Sequence, residues 1–150
     1  MIIADHGRTA RGERAALLRL LTRHEGRRPF PYTDTAGRLT IGVGRNLTDR
    51  GLSGGEIDLL LANDIAAARA ACRRLYGAGF EGASMARRHA LISMAFNLGQ
   101  TRLAGFRRFR AAVRDGDWDR AAAEALDSRW ATQTGRRADE VAALLRGGNP

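Results

Sequence analysis

One stretch of this chain alternates with a period of two residues, and it stands alone. In residues 30–47, FPYTDTAGRLTIGVGRNL, Leu39, Ile41 and Val43 alternate with Thr40, Gly42 and Gly44. That is the pattern of a strand with two unlike faces. Ala36-Gly37 supplies a turn ahead of it. Elsewhere the apolar residues follow helical spacing. The class is therefore bounded to α+β, predominantly α, with one β-hairpin or small sheet near the N-terminus.

The helices have readable ends. Residues 9–24 carry Leu17, Leu18, Leu20 and Leu21 on one face, and Gly26 and Pro29 stop the pattern. Ser53 with Glu56 three residues later is a capping box opening a long helix to about Tyr76. The Gly-rich residues 77–83 read as a loop. A strongly apolar helix follows over 84–98, stopped by Gly99. Shorter helices are expected near 106–115, 117–127 and 135–146, with Asp117 as an N-cap. The tail GGNP is expected to fray. At 150 residues the chain fits one domain over 1–150. Its parts are an N-terminal lobe over about 9–52, a connecting helix over about 53–76 and a helical lobe over about 84–146.

Charge and cysteine usage bound the partners. The chain carries 25 basic residues, all of them Arg, against 16 acids, a net charge of +9. Such a domain is attracted to polyanions: nucleic acid, anionic membrane surfaces, acidic wall polymers. The single Cys72 excludes an intrachain disulfide and multi-Cys zinc sites. Its helical setting makes it a small core residue. His6, His24 and His89 lack metal-ligand spacing, so neither a metal nor a cofactor is expected. No stretch approaches 18 apolar residues, and the first residues lack the apolar segment of a signal peptide.

The chemistry points to residues 25–40. Glu25 sits in the last turn of the first helix, where the dipole disfavours a carboxylate. Burial against the hairpin would disfavour ionisation further. A general acid requires such a place. Asp34, in the hairpin, is expected to stay ionised beside backbone donors. Two carboxylates in contrasting settings are the pattern of glycoside hydrolysis. By spacing alone, though, the pair also reads as a surface residue and a turn residue. Thr40, Gly42 and Gly44 share one strand face that is nearly bare. Such a face admits a ligand or marks sheet curvature.

The segments HEG at 24–26 and YTDTAGRLTIGVG at 32–44 resemble the signature of the phage-type lysozymes, the endolysin family of tailed bacteriophages. RRHALISMAFNLG at 87–99, AGF at 104–106, SRWATQT at 128–134 and Arg137 continue the resemblance. It implies a small N-terminal lobe, a connecting helix, a helical lobe and a cleft between the lobes. It also implies hydrolysis of the β-1,4 bond from N-acetylmuramic acid to N-acetylglucosamine in peptidoglycan, with inversion. Glu25 would be the acid, Asp34 would activate water or stabilise charge, and Thr40 would hold the water. Gly44, Asn46, Phe96, Asn97, Phe106 and Arg137 would line the substrate, with Phe96 and Phe106 also reading as core. Arg137, or its neighbour Arg136, would pair with Glu25. Arg45 stands where the family often has His, and Asp64 matches that residue's partner. Gly135 replaces a frequent Pro.

By the same resemblance the protein is a monomeric endolysin. It would be made in the host-cell cytoplasm and released to the periplasmic wall through a holin-type pore. Seven Arg and no acid lie in residues 82–114. They read as a footprint for anionic envelope polymers or as a solvated face. Nucleic-acid binding is not expected, because no aromatics interleave with them for base stacking. Two other readings stay open: a non-catalytic domain binding polyanion or nucleic acid, and a lysozyme-fold module of an injection apparatus.

Overall fold

The structure, a computed structural model, describes residues 6–147. The expected fraying of the tail lies, from residue 148 on, outside the described residues. The fold is predominantly helical with one small antiparallel sheet. Two compact units divide between Ile57 and Asp58.

The first unit opens with α1 (His6–Glu25), and Gly26 ends it at φ 75°. Three strands follow: β1 (Arg28–Thr33), β2 (Leu39–Gly42) and β3 (Arg45–Asn46), in spatial order β1-β2-β3. Thr33 faces Leu39 and Tyr32 faces Thr40, but Arg28 faces Gly42. Four steps along β1 therefore match two along β2. The bulge holds Pro29 and Pro31, which lack the N–H a regular ladder needs. An edge strand tolerates both. In this unit the only buried side chain among the described residues is Thr40, at 4% exposure. The leucine face expected on α1 is present but open: Leu17, Leu18, Leu20 and Leu21 are all exposed.

The long helix α2 (Gly54–Tyr76) begins in the first unit and runs on into the second. Ser53 opens it as the capping box requires. Its Oγ accepts from Glu56 N (3.3 Å) while Glu56 Oε2 accepts from Ser53 N (2.7 Å).

The second unit adds α3 (Ala78–Glu81), α4 (Met85–Ala104), α5 (Arg107–Asp115), α6 (Trp118–Leu126), α7 (Arg129–Thr134) and α8 (Arg136–Leu145). The loop expected at 77–83 thus contains a short helix. Here Gly79 is needed for space, since a β-carbon would lie 2.5 Å from Val113 O of α5. The expected stop at Gly99 is a kink: φ 73° and ψ 160° interrupt α4, and the helix resumes beyond it. Ser84, Asp117 and Ser128 cap α4, α6 and α7, each accepting from the amide three residues on.

The buried apolar core lies in this unit, around Tyr76, Phe80, Leu91, Met94, Leu103, Phe109 and Leu145. Tyr76 meets Phe109 edge-on, with ring centroids 6.1 Å apart. Cys72 is a core residue, and burial pushes its thiol up to about 12. Two Arg of the basic stretch serve the fold. Arg87 Nε donates to Leu145 O (3.0 Å) beneath the Trp118 ring, and Arg114 Nε donates to Leu75 O (2.9 Å).

Candidate active site

Glu25, Asp34, Thr40, Gly44 and Asn46 all fall in the first unit. Glu25 is the last residue of α1, and its side chain is exposed, so the burial expected against the hairpin is not formed. Its carboxyl lies over Gly44. A β-carbon built there would be 3.2 Å from Glu25 Oε2 and 3.5 Å from Cδ. Gly44 also has φ 71°, the left-handed region that side chains avoid. The left-handed backbone is what calls for glycine, and the missing side chain brings the bare strand end against the acid.

Asp34 organises the β1–β2 turn. Its Oδ1 accepts from Ala36 N (2.8 Å) and Arg38 N (2.9 Å), while its own amide donates to Arg38 O (2.9 Å). The Arg38 amide is the main reason its carboxyl sits below the usual range; partial burial opposes this, and the Ala36 amide, the Arg38 charge and the Thr40 hydroxyl assist. Asp34 is thus an ionised acceptor at neutral pH. Thr40 is buried, and its single hydroxyl proton faces two acceptors, Arg38 O at 3.3 Å and the Asp34 carboxylate. Its lone pairs remain for a donor such as water.

Asn46 is opposite Thr40 in the β2–β3 ladder. Its amide is engaged within the next turn: Nδ2 donates to Asp49 Oδ2 (2.8 Å), and Oδ1 accepts from Asp49 N (2.9 Å). Arg45 takes Glu56 as an ionic partner within its own unit, and its Nη1 donates to Gly51 O (3.3 Å). A single carboxylate can cap Ser53 through one oxygen and hold Arg45 through the other. Spacing announces the first role, while the second depends on how β3 runs past the helix start.

Phe96, Asn97, Phe106 and Arg137 belong to the second unit. Phe96, read from its periodicity as core, is instead exposed (46%), and with Arg137 it lines one recess of about 400 Å³ together with Leu61, Ile65 and His89. Asn97 Oδ1 accepts from the buried Trp130 Nε1 (2.8 Å), and its amide nitrogen has no hydrogen-bond partner among the described residues. Phe106 is half-buried against the core. Arg136 pairs with Glu140 at 3.0 Å, so of the two candidate arginines Arg137 is the one without a carboxylate partner among the described residues. Those residues contain no cluster of three metal-ligating side chains. Among them, too, no helix is long and apolar enough to cross a membrane.

Comparison with known proteins gives two findings. The family described as Phage lysozyme matches residues 22–146. The pre-baseplate central spike protein Gp5 of Enterobacteria phage T4 is 27% identical over 89% of this chain. The chain spans 28% of that relative's length.

Proposed function

The chain belongs to the phage lysozyme family, and from that premise we propose that it hydrolyses the β-1,4 bond between N-acetylmuramic acid and N-acetylglucosamine in peptidoglycan. The observation that carries the reading is the contrast between two carboxyls of one unit. Asp34 is held ionised by the backbone amides of its turn, while Glu25 stands exposed at a helix C-terminus over Gly44. Glu25 protonates the leaving oxygen. Asp34, oriented by the turn and by Thr40, receives the attacking water or steadies positive charge on the sugar. If the reaction inverts, a water must fit between the carboxyls, which calls for a separation of roughly 6.5–9.5 Å.

In the endolysin setting the chain is a monomer made in the host-cell cytoplasm that reaches the wall through a holin-type pore. Its excess Arg then favours anionic envelope polymers. The likeness to a central spike protein favours a second setting for the same chemistry, a wall-cutting module of an injection apparatus. Purified peptidoglycan tests the reaction. Soluble muropeptides with new N-acetylmuramic acid reducing ends are expected, and their first-formed anomer, read by NMR, reports inversion or retention. Intact peptidoglycan together with tight DNA binding would favour the polyanion-binding alternative. Probing purified virions and whole lysates with one antibody separates the two settings: the spike module travels with the particle, the endolysin does not.

A further inference from the structure

Arg45 is the first residue of β3, paired with Ile41 across the ladder. Its guanidinium reaches across the following turn to two places at once. Nη1 donates to Gly51 O (3.3 Å), and Nη2 meets Glu56 Oε1. Glu56 is itself fixed, because its Oε2 accepts from Ser53 N (2.7 Å) and Ser53 Oγ (3.0 Å). The Asn46–Asp49 bonds close the inside of the same loop. Residues 45–56 are therefore tied from the start of β3 to the first turn of α2. The arginine side chain is only about one-third exposed, at 31%.

The residue before this anchor is Gly44, whose α-carbon leaves a β-carbon only 3.2 Å from Glu25 Oε2. With no side chain at Gly44, the turn into β3 runs beside the Glu25 carboxyl, and a slide of β3 changes what that carboxyl meets. Among the described residues Arg45 makes no hydrogen bond or ion pair with Glu25; its bonds go to Gly51 and Glu56. We propose that Arg45 is a positioning residue: by clamping β3 to the N-terminus of α2 it holds Gly44 against Glu25 and thereby sets the rotamer from which that carboxyl acts. The inference rests on the reading of Glu25 as the acid. A planar fork suits the task, since two acceptors in different directions must be met together.

The test uses the full chain and Arg45→Met, Arg45→Lys and Glu56→Gln variants, each shown by thermal melting to be folded at the assay temperature. On soluble glycan oligomers, Arg45→Met is expected to lower kcat roughly tenfold and to move KM less than about twofold, because misplacement of a reacting group acts on the chemical step. Glu56→Gln should lose kcat in the same direction. Arg45→Lys should recover part of it, since a charge remains for Glu56 but the fork does not. The second readout is NMR: the nuclear Overhauser contact between Glu25 Hγ and Gly44 Hα should weaken in Arg45→Met. An active wild type with unchanged kcat in Arg45→Met overturns the inference alone. A wild type without hydrolysis overturns the functional reading and the inference that rests on it, whereas an active wild type whose Glu25–Gly44 contact is retained in Arg45→Met overturns the inference alone.

Discussion

Replacing Glu25 by Gln removes a proton donor and keeps the shape of the side chain. General acid catalysis contributes roughly 10²–10⁴-fold, so Glu25→Gln should reduce peptidoglycan cleavage by at least that order while circular dichroism and the melting temperature stay put. Near wild-type clearing of wall suspensions by this variant would remove Glu25 from the mechanism. In the other unit, Tyr76 tests the opposite principle. Its ring is buried, and its hydroxyl has no hydrogen-bond partner among the described residues. An unpaired buried hydroxyl costs about 1–3 kcal/mol. Tyr76→Phe should therefore match or exceed the wild-type melting temperature, whereas Phe109→Ala, on the ring packed against it, should cost about 3–5 kcal/mol. A large loss in Tyr76→Phe would mean that the hydroxyl has a partner, such as an internal water.

The β1–β2 turn shows how a single carboxylate supports an element. Asp34 sits below the usual carboxylate range chiefly through the Arg38 amide. Its contribution to stability is therefore full above the ordinary value of about 4 and fades as pH falls through its lower folded value. The melting-temperature gap between wild type and Asp34→Asn should be widest near pH 7 and shrink below about pH 4. A gap that grows toward acid would contradict the assignment. The hairpin is legible in the sequence because alternation, a turn and glycines all agree over 30–47. Other elements are not. β3 has two residues, too few to show a period. α3 has four, beside Gly77 and Gly79, and it forms because Gly79 lets it approach α5. α7 fills 129–134 between two expected helices. In the candidate site, the positions of Glu25 and Asp34 follow from helix end and turn. The Arg45–Glu56 pair does not, because the spacing of a capping box says nothing of what its second oxygen meets.

Across the chain, burial is unevenly shared. The apolar core gathers in residues 68–145, while the first unit buries Thr40 and leaves Phe30 79% exposed. Regions with few buried apolar contacts open at lower free energy. Amide hydrogen exchange should therefore be fastest in α1 and the sheet and slowest in α4 around Leu91 and Met94. Equal protection throughout would show that the sheet has support beyond its own side chains. Charge is uneven too. None of the seven Arg at 82–114 has a carboxylate within 4.0 Å among the described residues. Attraction to a charged wall is screened over about 8 Å at physiological salt. Lysis should weaken as NaCl rises from tens to hundreds of millimolar, and Arg107, Arg108 and Arg110 changed together to Gln should flatten that dependence while sparing turnover of short fragments. The sheet carries one more consequence. Of its two edges, β3 is two residues long, and β1 lacks two of its six amide hydrogens at Pro29 and Pro31. Neither margin offers a continuous template for a neighbouring strand. A small sheet with so much open apolar surface is thereby guarded against growing into fibrils at high protein concentration.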